Sequence, residues 1–343
     1  MTDTHPTGPR LRAAFAMGSN ELLERLFTPE LRDRLASVAD VVSGSVLTEF
    51  DSAEARAVLA GIDVLITGWG CPKVTPEVLD RAPSLRLIAH SAGTVKGHLH
   101  RACWERGVAV TTAAQVNGVP VAEFTLAVIL LAGKDAFNAS SLARQTRSGV
   151  AKTSLAAEIG NVGTTVGIIG ASSIGRAVLQ LLRPFKHRRL LADPTISAAE
   201  AAELGAELVP LDELMARSRI VSLHAPILPS TIGMIGAAQL QAMPDGATFI
   251  NTARGVLVDH DALRAETGTG RISAFLDVTD PEPLPEGDLL YTLPNVVITP
   301  HIAGSLGNEL PLMAASAVTE VEHLAAAEPL VHEVTLQVLD TMA

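Results

Sequence analysis

Residues 166–176 read VGIIGASSIGR, an apolar run followed by a glycine turn and a helical stretch. This order constrains the fold because such a turn joins a buried parallel strand to a helix that packs back onto the sheet. Gly170 suits the tight turn, and Gly175 permits close packing of helix on strand, whereas Ser172 stands where the GxGxxG pattern has its middle glycine. The segment predicts a phosphate loop for a dinucleotide, and an ordinary glycine turn is the alternative.

Asp193 closes the next apolar run, 18 residues after Gly175. An acidic residue about 20 positions beyond such a loop accepts hydrogen bonds from the ribose hydroxyls of NAD. Arg188 and Arg189 lie upstream of this position, so we expect the carboxylate to repel the 2′-phosphate of NADP. The alternative interpretation is a surface aspartate without a ligand.

Short β-rich runs alternate with helical stretches along the chain, which indicates parallel βαβ units and an α/β fold. The pattern predicts strands at 11–17, 41–48, 64–67, 85–90, 165–169, 189–192, 220–224, 247–251, 273–277 and 296–299. It predicts helices at 20–35 with an interruption at Pro29, at 53–60, 76–80 and 119–133 with Pro120 in the first turn, and at 310–324.

Composition narrows the class of protein. A length of 343 residues suggests about two domains, and 48% hydrophobic residues are enough for sizeable cores. With 26 basic against 37 acidic residues, the chain lacks the electrostatic footprint of a nucleic-acid binder. The two cysteines cannot form a disulfide framework, the start shows no secretory signal, and the longest apolar run, 119–133, is short for a membrane span. We therefore expect a cytoplasmic protein that binds neither nucleic acid nor membrane.

Six further segments share one pattern, and they read LRLIAHSAGT (85–94), PVAEFTL (120–126), SLHAPILPST (222–231), TFINTARGVLVDHDAL (248–263), ISAFLDVTDPEPLP (272–285) and VITPHIAGS (297–305). Together with the glycine turn, their order and spacing resemble the D-isomer-specific 2-hydroxyacid dehydrogenase family over nearly the whole chain. The resemblance implies a two-domain α/β protein. Residues 119–308 would form a Rossmann-type, doubly wound parallel sheet for NAD, and 11–118 with 309–343 a flavodoxin-like substrate domain. The active site would lie in the cleft between these domains.

The resemblance also assigns catalytic residues. Arg254 in NTARG would bind the carboxylate of a 2-oxo acid and polarise its carbonyl, which suits the bidentate guanidinium. His301 in TPHIAG would be the acid–base, a task for a side chain that titrates near neutrality. Glu282 would stabilise the imidazolium and fix its tautomer. Taken singly, each could be a loop residue without function.

By the same resemblance, Asp277 would hold the nicotinamide carboxamide and Pro226 would form a wall of the adenine site. The cofactor set implied by the motifs is Gly170, Ser172, Ser173, Ile174, Gly175, Asp193, His224, Pro226, Thr231, Thr252, Ala253, Asp277, Ala303 and Gly304. The substrate set is Trp69, Gly70, Ala92, Gly93, Thr94 and Arg254.

Several alternatives remain open. A reductase of glyoxylate or hydroxypyruvate that prefers NADPH is one, and a non-catalytic NAD(H)-sensing scaffold of the same fold is another. His90, His98 and His100 surround the substrate loop, but no acidic or cysteine cluster accompanies them, so we expect no metal site. The family resemblance also implies a homodimer, with residues 132–161 as a contact arm.

Overall fold

The computed structural model describes residues 10–147 and 159–341. The chain forms two compact units. The first runs to Asn117 and resumes at Ser305, and the second is Gly118–Gly304. Of the predicted contact arm, residues 148–158 lie outside the described residues.

The strands are β1 Leu11–Ala16, β2 Ala39–Val41, β3 Val64–Thr67, β4 Leu87–His90, β5 Ala109–Thr112, β6 Thr165–Ile169, β7 Arg188–Ala192, β8 Glu207–Leu208, β9 Ile220–Leu223, β10 Thr248–Asn251, β11 Ser273–Leu276 and β12 Val296–Ile298. The helices are α1 Asn20–Leu26, α2 Pro29–Val38, α3 Ala53–Leu59, α4 Pro76–Asp80, α5 Ala102–Glu105, α6 Ala114–Gly133, α7 Ala136–Thr146, α8 Ser173–Leu181, α9 Ala198–Glu203, α10 Leu211–Arg217, α11 Ala237–Ala242, α12 His260–Gly268, α13 Leu310–Ala326 and α14 Leu336–Thr341.

The first unit contains a five-stranded parallel sheet in the order β2-β1-β3-β4-β5, which is the flavodoxin-like order. Successive residues of a strand point to opposite faces, so the apolar run of β3 supplies two cores. Leu65 packs in one core with residues of α3 and α4, and Ile66 packs in the other with residues of α1, α2 and α13. This burial on both faces explains why the strands are apolar throughout.

The second unit contains a seven-stranded parallel sheet in the order β12-β11-β10-β9-β6-β7-β8. The chain winds outward from β6 in one direction and from β9 in the other, which makes the sheet doubly wound. Phe249 lies in the core beneath α10, α11 and α12, and Ile250 lies in the core beneath α6 and α8. The predicted fold class, with a Rossmann-type sheet and a flavodoxin-like sheet, is confirmed.

Two predicted elements differ most from the structure in their bounds. The strand expected at 41–48 ends at Val41, because Ser43-Gly44-Ser45 forms a break and only Leu47 returns to bridge Ala16. The helix expected from 119 begins at Ala114, where the Thr112 hydroxyl accepts a hydrogen bond from the Ala114 amide. Pro120 therefore lies inside α6 and not in its first turn. Helix α7 was not predicted, since it has no buried residue to give it an apolar period.

Helix α6 is long and apolar enough to cross a membrane by length and composition alone, a test that the core helix of a globular protein also passes. Ala122, Val128 and Ile129 on this helix are buried in the core of the second unit. Packing in that core accounts for its apolar composition.

Candidate cofactor and catalytic site

The predicted site residues of the second unit follow the ends of its strands. Gly170 follows β6, Asp193 follows β7, His224 follows β9, Thr252 follows β10 and Asp277 follows β11. Because all these strands are parallel, their carboxyl ends share one edge of the sheet. The turn between β6 and α8 adjoins the point where the strand order reverses, which is where open α/β sheets bind dinucleotides.

The glycine turn has the shape of a phosphate loop. Gly170 has a φ of +95°, and a Cβ there would lie 2.7 Å from the amide nitrogen of Ala225. A Cβ at Gly175 would overlap the carbonyl oxygen of Gly170. Only glycine fits at both positions, and the turn delivers the N-terminus of α8 to the edge of the sheet, where helix amides favour an anion. These residues fit the pyrophosphate of a dinucleotide.

Ser172 adopts an ordinary backbone conformation, with φ −60° and ψ 172°, so the turn itself does not require glycine there. Its hydroxyl accepts a hydrogen bond from the Gly175 amide at 3.3 Å and thereby caps α8. Ser173 and Ile174 form the first turn of this helix. The departure from GxGxxG therefore gives the helix a cap, while it adds a Cβ at the position expected to face the pyrophosphate.

We expect Ser172→Gly to tighten NADH binding modestly, because it removes the Cβ from the approach of the pyrophosphate. Loss of the cap costs only about a few tenths of a kcal/mol when the replacement is glycine. Ser172→Ala is the matched control, because it keeps the Cβ, loses the hydroxyl and should not tighten binding. Calorimetric titration with NADH measures both. Weaker binding by both variants would show instead that the hydroxyl is a phosphate ligand.

The Asp193 carboxylate is tied to the phosphate loop. Its Oδ2 accepts from the Ala171 amide at 2.6 Å, and its Oδ1 accepts from the Thr195 amide at 2.8 Å and hydroxyl at 2.6 Å. Burial raises the pKa of this carboxyl, but the hydrogen bonds from Thr195 and Ala171 and the nearby Arg176 outweigh it and lower the pKa overall. An ionised carboxylate fixed at this edge suits the ribose hydroxyls of NAD.

Hydrogen bonds among its own residues hold the segment that follows β9. His224 is buried, its Nε2 lies 2.8 Å from the Ser222 hydroxyl, and burial lowers its pKa to about 3. The Thr231 hydroxyl donates to the Pro226 carbonyl oxygen at 2.6 Å and accepts from the Leu228 amide at 2.8 Å. The backbone of His224 lies against Gly170 and its Cβ lies near Gly175, so this segment packs against the phosphate turn. A contact of residues 224–231 with the cofactor stays a prediction.

The neutral buried histidines predict how stability depends on pH. The folded-state pKa of His224 lies below its ordinary value, so between about pH 6.5 and 3 the unfolded chain binds more protons. The contribution of such a histidine to the free energy of unfolding is fully present above this window. It falls by about 1.4 kcal/mol per pH unit as pH decreases through the window. We expect urea unfolding between pH 7 and 5 to show this slope, and His224→Gln to reduce it. An equal slope in the variant would contradict the assignment.

Arg254 projects from a turn braced by the end of β10. The buried Asn251 side chain donates to the Arg254 carbonyl oxygen at 2.9 Å and accepts from the Ala253 amide at 3.0 Å. The guanidinium donates to the Ala253 carbonyl oxygen at 2.6 Å, and burial lowers its pKa while Glu282 opposes that effect. Among the described residues Arg254 forms no ion pair. A largely buried cation that none of the described carboxylates contacts directly is suited to bind an anionic ligand.

The buried Asp277 carboxylate organises the loop that carries His301. It accepts hydrogen bonds from the Thr299 hydroxyl at 2.6 Å and from the amides of Ile302 at 2.8 Å and Ala303 at 2.9 Å. The Asp277 carbonyl oxygen also accepts from the His301 amide at 2.9 Å. These bonds hold His301 in a left-handed conformation, with φ +56°, which a non-glycine residue rarely adopts without support. The predicted contact of Asp277 with the carboxamide stays a prediction.

His301 and Glu282 form a pair. The imidazole Nδ1 lies 2.7 Å from the Glu282 Oε1, and both side chains are nearly half exposed. A carboxylate acceptor fixes the proton on Nδ1 and leaves Nε2 free for exchange with a substrate. The structure therefore brings together two of the three predicted catalytic residues by direct contact, and Glu282 acts electrostatically on the third, Arg254, by opposing the effect of burial on its pKa.

The predicted substrate residues lie at one edge of the first unit's sheet. Trp69 and Gly70 follow β3 and residues 92–94 follow β4, and these strands are paired with Thr67 opposite His90. Gly70 has a φ of +74°, and a Cβ there would lie 2.7 Å from the Gly18 Cα. Trp69 is 41% exposed, which leaves its indole available for contact.

His90 and His98 stack with ring centroids 4.5 Å apart, and burial lowers their pKa values to about 3 and 4. The Thr67 hydroxyl lies 2.8 Å from the His90 Nδ1. Within the described part of the chain, no group of three His, Cys, Asp or Glu side chains could hold a metal ion. Burial and the lowered pKa values indicate that the His90–His98 pair is neutral.

Sequence reasoning missed the bracing roles of Asn251 and Thr125, and it assigned Thr252 only to the cofactor site. Besides Asn251, the Thr252 hydroxyl meets the Thr125 hydroxyl of α6 at 2.8 Å in the core, which ties the Arg254 turn to that helix. The signal that could have found Asn251 is a polar residue at the end of an apolar run, as in FIN at 249–251. Asp277 in FLD at 275–277 follows the same pattern. Such a residue must find partners when buried, and the nearest unpaired groups are those of the following loop.

A phosphate turn, an ionised aspartate and a supported histidine–glutamate pair on a doubly wound sheet define a dinucleotide-binding α/β protein. Residues 126–303 match the family model described as D-isomer specific 2-hydroxyacid dehydrogenase, NAD binding domain. The chain belongs to the D-isomer specific 2-hydroxyacid dehydrogenase family. The resemblance proposed from the motifs is thereby confirmed, as is NAD(H) as the cofactor.

Among similar proteins, a D-3-phosphoglycerate dehydrogenase of Archaeoglobus fulgidus is 34% identical over 234 residues, which are 68% of this chain and 44% of that protein. A glyoxylate reductase of Korarchaeum cryptofilum is 36% identical over 234 residues, 68% of this chain and 70% of its own. This chain thus spans less than half of the first relative. A crystal structure of a Thermus thermophilus protein has a TM-score of 0.73 and 31% identity, and covers 95% of this chain and 100% of its own.

Proposed function

We propose that the protein interconverts small 2-oxo and 2-hydroxy acids with NAD(H). The observation that carries this proposal is the contact between Glu282 and His301 at 2.7 Å. Asp277 holds the loop that carries His301. Arg254, which forms no ion pair among the described residues, lies in the same unit. Proton transfer needs a titratable donor, and carboxylate binding needs a fixed cation. Both groups are present at the edge that carries the phosphate turn. NAD(H), when bound there, supplies or accepts the hydride.

In reduction, Arg254 would bind the carboxylate of the 2-oxo acid and orient its carbonyl group. The bidentate guanidinium fixes the plane of the substrate, which lowers the entropic part of the barrier. The charge of Arg254 also stabilises the negative charge that develops on the carbonyl oxygen. In the first unit, the residues proposed to contact the acid are Trp69, Gly70 and those of the 92–94 loop.

His301 would donate a proton from Nε2 to the developing alkoxide, and in oxidation the neutral ring would accept that proton. Glu282, hydrogen-bonded to Nδ1, stabilises the imidazolium and keeps the ring oriented in both directions. Asp193 would bind the ribose hydroxyls, which favours NADH over NADPH. We further propose that the protein is a cytoplasmic homodimer.

A regulatory scaffold that only senses NAD(H) does not need this arrangement. A sensor would bind the cofactor through residues 170–175 and Asp193 alone, without a supported left-handed His301 or a carboxylate on its Nδ1. The preserved pair and the unpaired Arg254 therefore favour catalysis.

The test is NADH oxidation with a panel of 2-oxo acids, repeated with NADPH. We expect activity with at least one small 2-oxo acid and a clear preference for NADH, because Asp193 repels the 2′-phosphate by several kcal/mol. The panel includes glyoxylate, hydroxypyruvate and 3-phosphohydroxypyruvate to resolve the substrate. Equal catalytic efficiency with NADPH would contradict the role of Asp193, and NADH binding without turnover of any acid would favour the sensor.

A further inference from the structure

His260 begins α12 and is buried, and neither the motifs nor the family match gives it a role. Its Nδ1 lies 3.1 Å from the Val258 carbonyl oxygen, and its Nε2 lies 3.2 Å from the Asp280 amide nitrogen. A carbonyl oxygen only accepts and an amide only donates, so Nδ1 carries the proton and Nε2 accepts. The ring thus connects Val258, in the segment that follows Arg254, to Asp280, in the segment that precedes Glu282.

The charged groups around His260 are consistent with a neutral ring. Burial lowers its pKa, and Arg264 on the same helix acts in the same direction. Asp280 and Asp288 from the facing loop oppose these effects only in part, because the pKa remains lowered. The acceptor at Nε2 is therefore kept for the Asp280 amide at neutral pH.

Helix α12 holds the Glu282 loop at two places. Arg264, one turn after His260, pairs with the almost fully buried Asp288 through Nη2–Oδ2 at 2.6 Å and Nε–Oδ2 at 3.0 Å. His260 holds the loop at Asp280, so Glu282 lies between the two attachments. Residues four apart on a helix share one face, which explains how both reach the same loop.

The attachment at Asp280 is the nearer one to the catalytic pair. Pro281 and Pro283 flank Glu282 and fix their own φ angles, which restricts how far the backbone between Asp280 and Glu282 can adjust to a displacement at Asp280. Gly255 supports the same segment from the Arg254 turn, since a Cβ there would overlap the carbonyl group of Thr279. The backbone at Glu282 is thus held by its surroundings, and its side chain is held by the contact with His301.

We propose that His260 is a positioning residue for the Glu282–His301 pair: by accepting the Asp280 amide it places the Glu282 carboxylate at the His301 Nδ1. The inference rests on the proposed function, in which this pair moves the proton. It adds to that function a residue outside the motif residues that contact substrate or cofactor.

The experiment compares His260→Leu, which fills the space without an acceptor, with His260→Gln, which can donate and accept. The pH dependence of 2-oxo acid reduction is measured at saturating NADH, with NADH affinity and thermal unfolding as controls. The alkaline limb is the part of the pH–rate profile in which reduction declines as pH rises. We expect His260→Leu to move this limb to lower pH and to reduce the rate several-fold at pH 8. His260→Gln should restore most of both. Added to Glu282→Gln, His260→Leu should cause no further displacement.

The outcomes distinguish the proton-transfer role of the Glu282–His301 pair from the positioning role of His260. If Glu282→Gln leaves the alkaline limb unchanged, the proposed function of the pair fails. If Glu282→Gln moves the limb but His260→Leu does not, or if His260→Gln is as impaired as His260→Leu, the role of His260 fails alone. Should His260→Leu not fold, the ¹⁵N resonances of the wild-type ring decide, because the proposal requires a neutral ring protonated on Nδ1 and a ring protonated on Nε2 overturns it.

Discussion

Replacing His301 by alanine is expected to lower the rate of 2-oxo acid reduction by about 10²–10⁴-fold, because the developing alkoxide loses its proton donor. NADH affinity should change little, since the phosphate turn and Asp193 lie on other loops of the same sheet edge. Steady-state kinetics with NADH and the best acid of the panel measure the rate, and fluorescence titration measures the affinity.

The matched control is His323→Ala, which removes a histidine whose ring bonds the Pro329 carbonyl oxygen in the first unit. It should leave the rate within about twofold of the wild type, as expected of a surface substitution. Full activity of His301→Ala would remove this residue from the chemistry. An equal loss in both variants would point to general destabilisation.

Arg254→Lys is the second substitution with a large expected effect. Lysine keeps the charge but loses the planar two-point contact with a carboxylate, so the carbonyl is no longer held in line for reaction. We expect kcat/KM to fall on the order of 10²-fold, with both kcat and KM affected. NADH binding should remain close to that of the wild type.

Arg183→Lys serves as the control for Arg254→Lys, because Arg183 is exposed and its guanidinium donates to the Glu203 carbonyl oxygen, away from the candidate site residues. It should leave kcat/KM unchanged. Near-wild-type turnover by Arg254→Lys would contradict the proposed contact with the carboxylate. A loss of NADH affinity in this variant would instead assign Arg254 to the cofactor site.

Much of the fold could be predicted because parallel strands buried on both faces read as short apolar runs. VLIT at 64–67 and TFIN at 248–251 are fully buried and appear at the predicted positions. The sequence was less informative where burial was partial. Residues 41–45 are exposed or half-buried and only Val46 and Leu47 of this stretch are buried, and α7 buries none, so burial gives neither segment the period that marks an element.

The site was predictable only in part for a related reason. Motif residues such as Arg254, Glu282 and His301 stand out by their chemistry and spacing. The groups that place them act through backbone atoms, as Asn251 does at the Arg254 carbonyl and His260 does at the Asp280 amide. Contacts of this kind depend on which loops meet in three dimensions, and no spacing along the chain shows them. The left-handed conformation of His301 is a further example, because the sequence TPHIAG at 299–304 does not predict it.

The most direct test of the account is the pH dependence of 2-oxo acid reduction by the wild type and by Glu282→Gln at saturating NADH. Reduction requires protonated His301, and the Glu282 carboxylate stabilises that state through the 2.7 Å contact. We predict that reduction declines at a lower pH in Glu282→Gln than in the wild type, because the variant lacks the carboxylate that contacts the His301 ring. Superimposable profiles would show that the two residues do not act as one proton-transfer pair.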